Sequence, residues 1–165
     1  IEGATLEEVS EQTLLQRHML TTGRPRQITL AFRSPVVFRS HGVEMPVPLP
    51  ELVFGGLIER WNSLCDLQLH PQVREFAREC LRISRYRLQT MRLHFGNSGY
   101  ESLAGAVGQV SYYITNPDPY WSRAIWALTG FAEYAGLGLR TAVGMGQVKL
   151  LTQHTMPLQT IDNRD

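Results

Sequence analysis

Two glycine pairs near the carboxyl end of the chain flank one cation and one hydroxyl group. The residues are Gly136 and Gly138, Gly144 and Gly146, with Arg140 and Thr141 between the pairs. Glycine allows the backbone to turn through positive φ and to approach another backbone closely. Successive main-chain N–H groups in such a loop form concavities that bind anions, and arginine binds phosphate through two parallel hydrogen bonds. The spacing therefore indicates an anion-binding loop.

The order of elements around this loop indicates which anion it suits. The loop follows a helix-like run and leads into the strand-like residues 148–151, whereas Rossmann and Walker phosphate loops run from strand to helix. The chain contains no Gly-Lys-Ser or Gly-Lys-Thr. These features disfavour a nucleotide cofactor and favour an RNA backbone. The alternative interpretation is structural: Gly136 ends a helix as its C-cap, and a bulged edge strand follows.

Arginines are concentrated in the middle of the chain, from a predicted short helix into a predicted strand. They are Arg74, Arg78, Arg82, Arg85, Arg87 and Arg92. Strand alternation places Arg85 and Arg87 on one face, and Arg82 and Arg92 on the other, unless a bulge intervenes. Such a row could follow an RNA backbone with strongly salt-dependent affinity, and Tyr86, Tyr100, Tyr112 and Tyr113 could stack on bases. The alternative is a solvated face that protects a sheet edge.

The histidines and cysteines do not have the spacing of metal ligands. The histidines are scattered at His18, His41, His70, His94 and His154, and the two cysteines, Cys65 and Cys80, do not form a Cys-x-x-Cys. Each cysteine falls in a mostly apolar helical pattern, which indicates reduced core residues of a cytoplasmic protein. We therefore predict neither a metal nor another cofactor.

Hydrophobic periodicity predicts the elements that position these residues. Apolar residues alternate over 27–33 as in a half-buried strand, Pro35 indicates an edge or bend, and residues 41–50 are predicted to be loop. A helix begins at Pro50, a shorter one spans 72–80, and a hairpin joins strands 81–95 and 102–115. A second long helix follows Asp118-Pro119, and a strand spans 148–151. This order predicts an α+β, ferredoxin-like βαββαβ fold, an antiparallel sheet with two helices on one face.

Composition sets the broad class of the protein. The chain has 165 residues, 43% of them hydrophobic, and no apolar run approaches the roughly 18 residues of a membrane span. The net charge of +1 favours neither nucleic acid nor membrane, and Lys149 is the only lysine among 16 basic residues. We expect residues 1–26 to be a linker or the end of a preceding domain, 27–151 the ferredoxin-like domain, and 152–165 a polar tail. Because the chain begins at Ile1, we also expect it to be a segment of a longer polypeptide.

Five segments, in order, resemble the CRISPR precursor-RNA-processing endoribonucleases of the RAMP superfamily. They are Ser34-Pro35-Val36-Val37-Phe38-Arg39; Pro46-x-Pro48-x-Pro50 followed by Val53-Phe54 and Trp61-Asn62; Gly105-x-Val107-Gly108; Phe131-Ala132-Glu133-Tyr134; and the glycine-rich residues 135–147. The resemblance covers about residues 27–151 and implies the same ferredoxin-like fold. It also implies metal-independent cleavage of CRISPR repeat RNA, in which a general base, usually histidine, activates a ribose 2′-hydroxyl against the adjacent phosphate.

Family members typically have two such domains, the first of which carries the catalytic histidine, and the segments matched here belong to the second. We therefore expect the RNA-binding C-terminal half of the enzyme, without its catalytic histidine; His41 and His94 are the nearest local candidates. The expected RNA contacts are the glycines at 136, 138, 144 and 146, with Arg140, Thr141, Arg82, Arg85, Arg87 and Arg92. The expected partners are CRISPR repeat RNA, an N-terminal ferredoxin-like domain and other CRISPR effector subunits, and not a membrane.

Two other classes of function stay open at this point. One is a non-catalytic subunit that holds RNA inside a larger ribonucleoprotein and never cuts it. The other is a ferredoxin-like interaction module with no RNA role, because this fold hosts many unrelated functions.

Overall fold

A computed structural model describes residues 10–19, 23–95 and 101–151 of the chain. The predicted tail at 152–165, the hairpin turn at 96–99, Tyr100 and His154 lie outside these residues. The elements, in chain order, are α1 (Glu11–Met19), β1 (Gln27–Val36), β2 (Phe38–Ser40), β3 (Val43–Met45), α2 (Pro50–Leu64), α3 (Val73–Cys80), β4 (Leu81–Phe95), β5 (Glu101–Ile114), α4 (Pro119–Ala135), a 3₁₀ turn (Thr141–Val143) and β6 (Val148–Leu151).

The main sheet has the strand order β4-β5-β1-β6, with every described pair antiparallel. The strands β1, β4, β5 and β6 with helices α2 and α4 give the predicted βαββαβ order, and the ferredoxin-like fold is confirmed. The loop predicted at 41–50 is wrong in its first part, because β3 pairs with β2 as a short hairpin. The connecting His41 and Gly42 both have positive φ, as tight hairpin turns require.

Helices α2 and α4 pack on one face of the sheet and enclose the core. Ile28 and Leu30 of β1 and Val110 and Tyr112 of β5 point into it and are fully buried. Both helices begin as predicted: α2 starts at Pro50, and the Asp118 carboxylate accepts hydrogen bonds from the first N–H groups of α4. The last residue of α2, Leu64, lies off the core-facing side and is 70% exposed.

The segment before β1, predicted as a linker or domain end, packs onto α4 where it is described. Helix α1 lies against α4, and Leu15 reaches the core. The Trp126 indole donates a hydrogen bond to the Pro25 carbonyl (3.2 Å), and the Arg24 guanidinium lies 5.1 Å from the centre of the same ring. These contacts attach residues 10–19 and 23–26 to the domain that follows them.

A β-bulge in β4 changes which arginines share a face. Ile83 pairs with Tyr112 and Arg85 with Ser111, so that Ser84 is an extra residue in the ladder. The inserted residue shifts the alternation by one, and Arg82 therefore lies on the same face as Arg85 and Arg87. The exception stated with the alternation argument, an intervening bulge, therefore applies, and of the four strand arginines Arg92 alone lies on the opposite face.

None of the helices in the described ranges is long and apolar enough to cross a membrane.

Tyr112 gives the first testable prediction. Its hydroxyl donates a buried hydrogen bond of 2.7 Å to the Pro48 carbonyl, and we expect Tyr112→Phe to lower the free energy of unfolding by about 1–2 kcal/mol. Burial, with a further contribution from the Glu51 carboxylate, raises the pKa of Tyr112 well above its ordinary value. The folded state therefore holds a proton that the unfolded chain releases above about pH 10, and stability falls as the pH rises beyond that point.

Urea unfolding of both proteins between about pH 7 and about pH 11 measures this effect. The wild type should lose stability more steeply than Tyr112→Phe at the alkaline end. Parallel losses in the two proteins would contradict the assignment of the alkaline effect to Tyr112.

Candidate functional site

The glycine loop, residues 136–147, begins where α4 ends. The Gly136 N–H donates to the Ala132 carbonyl (2.9 Å), and Gly136 has a φ of 70°, so it is the C-cap that the structural interpretation predicted. The chain then returns along the junction of β1 and β2, forms the 3₁₀ turn at its apex (residues 140–144) and enters β6.

The loop is joined to the β1–β2 junction by its main chain. The Leu139 N–H donates to the Val37 carbonyl (2.8 Å), and the Gly146 N–H donates to the Pro35 carbonyl (2.9 Å). The Gln147 N–H donates to the Ser34 hydroxyl (2.9 Å). Two segments of the family resemblance, Ser34–Arg39 and the glycine loop, are therefore in direct contact, and Ser34 is an anchor that sequence reasoning did not identify.

Two of the glycines are required because backbones approach closely at these contacts. A Cβ at Gly138 would overlap the Val37 carbonyl oxygen, and a Cβ at Gly146 would overlap the Leu137 carbonyl oxygen. Both residues also have positive φ, 71° and 69° respectively. The N–H groups of Leu139, Gly146 and Gln147 donate to protein oxygens, and at the apex those of Val143 and Gly144 also donate to loop carbonyls. At the apex, an anion would therefore meet the side chains of Arg140 and Thr141. Gly144 belongs to that apex and is surrounded by open space.

Arg60 of α2 stabilises the start of the loop, and sequence reasoning missed it. Its guanidinium donates to the carbonyls of Ala135 (2.8 Å), Gly136 (2.8 Å) and Gly138 (3.1 Å). A cation suits this position because the last carbonyls of a helix carry partial negative charge. No local pattern around Arg60 could have revealed the role, since its partners are main-chain atoms far along the sequence.

Arg140 connects the loop apex to the β4–β5 hairpin. Its guanidinium carbon lies 4.5 Å from the centre of the Phe95 ring, and its backbone is left-handed, with φ 56° and ψ 34°. Beneath this contact lies a small apolar cluster formed by Val37, Leu103 and Met145, with Leu93, Phe95 and Leu139 around them. Stacking uses the flat face of the guanidinium, whereas phosphate binds in the plane of its N–H groups, so the two contacts are compatible.

Three of the hairpin arginines lie on the same side of the sheet as the loop apex. Beyond the bulge, Arg85 and Arg87 share a face of β4 with Leu93 and Phe95, the residues that contact the loop. The arginines on this face, Arg82, Arg85 and Arg87, are all exposed. The structure thus places three of the four predicted strand arginines on the face of β4 that contacts the loop, with Arg87 about 26 Å along the strand from Phe95. Arg92 is the exception, because it lies on the opposite face.

The tyrosines and histidines have different surroundings. Tyr112 is fully buried and so cannot stack on a base, whereas Tyr86 is 70% exposed and Tyr113 39% exposed. His41 lies in the β2–β3 turn, where its Nδ1 is 3.1 Å from the Ser40 hydroxyl. His94 is exposed and lies on the other face of β4 from its neighbour Phe95. Within the described residues, no group of three or more His, Cys, Asp and Glu side chains is placed to hold a metal ion.

A ferredoxin-like sheet with a glycine loop joined to its first strand and a cationic hairpin beside it is the arrangement of the RAMP fold. The family model described as CRISPR-associated endoribonuclease Cas6 matches residues 30–148, and the chain belongs to this family.

Known relatives show how much of such proteins this chain spans. A Cas6 endoribonuclease of Streptococcus thermophilus is 28% identical over 128 residues, which are 74% of this chain and 49% of the relative. One from Mycobacterium tuberculosis is 25% identical over 88% of this chain and 46% of the relative. The chain thus spans about half the length of the curated relatives it matches.

Solved structures agree on the fold. A Cas6 product complex is 29% identical with a TM-score of 0.75, covering 92% of this chain and 60% of the other. A Cas6 substrate mimic complex is 30% identical with a TM-score of 0.72, covering 87% of this chain and 58% of the other. A Thermus thermophilus Cas6, 23% identical with a TM-score of 0.75 over 87% of this chain and 58% of the other, shows the fold alone.

The contacts of Arg60 lead to a prediction about the glycine loop. We expect Arg60→Met to lower the free energy of unfolding by about 2–3 kcal/mol, because three carbonyls lose a charged donor. Amide exchange at Leu139 and Gly146 should accelerate by more than this global loss explains, since the loop is released from α2. Arg60→Lys is the matched control: it keeps the charge but lacks the guanidinium fork that reaches all three carbonyls. Unchanged amide exchange at Leu139 and Gly146 in folded Arg60→Met would contradict the role of Arg60 in holding the start of the loop.

Proposed function

We propose that this chain is the RNA-binding C-terminal half of a metal-independent CRISPR endoribonuclease that cleaves repeat RNA to generate CRISPR RNAs. The observation that carries the proposal is the contact between Arg140 and Phe95, which joins the loop apex to the arginine-bearing hairpin. Membership in the Cas6 family supports the reaction class. The proposed partners are CRISPR repeat RNA, an N-terminal ferredoxin-like domain and other CRISPR effector subunits.

The charge distribution supports RNA as the ligand. The net charge is only +1, so nonspecific attraction by the whole molecule is weak, and affinity has to come from local clusters. Three exposed cations of the hairpin, Arg82, Arg85 and Arg87, lie on the face of β4 that also carries Phe95, the ring on which Arg140 stacks. A-form RNA is recognised mainly through its phosphates and 2′-hydroxyls, which guanidinium and hydroxyl groups such as those of Arg140 and Thr141 can bind.

The proposed reaction needs a base that takes the proton of a ribose 2′-hydroxyl while its oxygen attacks the adjacent phosphorus. The 5′-oxygen of the next nucleotide then leaves and gains a proton, and nearby cations stabilise the charge on the phosphoryl oxygens. We assign this stabilisation to Arg140 and Thr141. We assign the base to a histidine outside this chain, because His41 lies in a turn and His94 lies on the face of β4 opposite Phe95.

A non-catalytic RNA-holding subunit is the second candidate. The exposed positions of His41 and His94 favour it as much as they favour the half-enzyme, because neither function needs a catalytic histidine in this chain. Incubation of the chain with 5′-labelled repeat RNA in EDTA, at two salt concentrations, tests both candidates. Salt-sensitive binding without cleavage, followed by cleavage once an N-terminal Cas6 domain is added, is the result we expect. Binding that never leads to cleavage would favour the holding subunit, and absence of binding would overturn both.

Substitution of Arg140 should lower RNA affinity while changing the stability of the fold little. Glycine suits a left-handed backbone, so Arg140→Gly should stay within about 1 kcal/mol of the wild type in stability. Its affinity for a repeat hairpin RNA should nevertheless fall at least about tenfold, because a phosphate contact is lost. Arg140→Lys keeps the charge and should lose less affinity. Fluorescence anisotropy and urea unfolding measure the two quantities, and unchanged RNA binding by Arg140→Gly would remove the loop apex from the RNA site.

Strand alternation in β4 provides a matched pair of arginines for a second binding prediction. Arg87→Ala should lower RNA affinity and reduce the slope of log K against log salt by about 0.9, the loss of one phosphate contact to a duplex. Arg92→Ala removes the same charge from the other face of the same strand and should change the slope much less. Equal effects of the two variants would show that RNA does not distinguish the faces of the hairpin.

A further inference from the structure

A groove of about 460 Å³ runs beside the glycine loop, on the side of α2. Helix α2 forms one wall, loop residues 136–139 form the other, and Phe38 and Arg39 of β2 contribute to the lining. The groove and the proposed RNA site share the glycine loop, because residues 136–139 line the groove and Arg140 follows them at the loop apex. Of the residues predicted from the sequence to contact RNA, only the loop glycines Gly136 and Gly138 line this groove.

The lining is cationic. Arg39, Arg60 and Arg74 supply three guanidinium groups, against the single carboxylate of Glu59. Arg74 neutralises that carboxylate through an ion pair of 2.7 Å. Arg60 keeps its charge at the groove while it donates to the loop carbonyls. The surplus positive charge suits a phosphate group rather than an uncharged apolar ligand.

Two adjacent glycines shape the α2 wall. A Cβ at Gly55 would overlap the Arg74 guanidinium, so glycine at this position allows Arg74 to lie flat along the helix. At Gly56 nothing lies within 4 Å of a Cβ position, and the helix backbone is bare and exposed toward the groove. Glycine within a helix is unfavourable by about 1 kcal/mol relative to alanine, so its presence here calls for a reason such as close approach of a ligand.

We propose that this groove binds one unpaired nucleotide of the repeat RNA, outside the stem held by the loop apex and the hairpin. Arg39 contacts its phosphate, the charge of Arg60 on the same lining adds to the attraction, and its sugar and base lie over Gly56. The volume is within the range of small-ligand sites and too small for a base-paired stem, and unpaired nucleotides can be splayed out of an RNA chain. This proposal rests on the proposed function, since it extends the same RNA site.

The first test removes one groove cation. Arg39→Ala should weaken binding of full-length repeat RNA at least about fivefold and reduce its salt slope by about 0.7, the value for one single-strand phosphate. Binding of a stem-only RNA should not change. Arg78→Ala is the matched control: it removes an exposed arginine that is one turn from Arg74, outside the groove and paired with Glu75 and Glu79. Equal effects of Arg39→Ala and Arg78→Ala would overturn the proposal.

The second test fills the groove without removing charge. Gly56→Leu places a side chain where the nucleotide would lie, and it should weaken binding of the full-length repeat but not of the stem. Gly56→Ala is the control, with the same gain in helix propensity and little added volume. The groove proposal would be overturned if folded Gly56→Leu and Arg39→Ala both keep wild-type RNA affinity while Arg140→Gly loses it. That result would leave the proposed function intact. If the wild-type chain binds neither RNA, the proposed function itself fails.

Discussion

The functional surface depends on one main-chain contact, the docking of the glycine loop onto the β1–β2 junction. Carbonyls of Pro35 and Val37 accept hydrogen bonds from loop N–H groups, and the close approach of Val37 excludes a Cβ at Gly138. A Cβ at Gly146 is excluded by the Leu137 carbonyl within the loop itself. Because backbone atoms make the contact, its geometry tolerates little adjustment by side-chain rotation. It fixes the apex that carries Arg140, the carbonyls that Arg60 holds and the wall of the cationic groove. Loss of this contact would therefore disturb three features at once, although none of them belongs to the hydrophobic core.

The positions of the charged residues matter more for the proposed RNA binding than the net charge of the protein. Several arginines serve the fold: Arg60 holds a helix end, and Arg78 pairs with acidic neighbours on its own helix. Others, on β4 and at the loop apex, lie on the face where hairpin and loop meet. A net charge near zero is consistent with an RNA-binding surface for this reason, because opposite charges that pair within α3 contribute little to the field at the loop.

The sequence predicted elements whose signals are local. Pro50 and Asp118 mark helix starts through their own backbone and side-chain chemistry, and long alternating runs mark β4 and β5. Features that depend on tertiary partners were missed or wrong. The extra residue at Ser84 has no signature in a run of polar residues, yet it moves Arg82 to the other face. Arg60 carries no local signal, since its partners are carbonyls at the end of a different helix. The glycines were recognised as a loop, but their need for close backbone approach emerged only when Val37 and Leu137 were placed beside them.

Arg140 shows how the fold and the proposed site are coupled. A non-glycine residue in a left-handed conformation costs of the order of 1 kcal/mol or more, and glycine would adopt the same backbone without that cost. The guanidinium offsets part of the cost by stacking on Phe95, a contact worth about 0.5–2 kcal/mol depending on its exposure. The stacking also sets the orientation of the hairpin relative to the loop, since Phe95 lies at the end of β4. A phosphate bound in the plane of Arg140 would then add to an arrangement that already exists, so the hairpin and the loop would meet RNA as one preorganised surface.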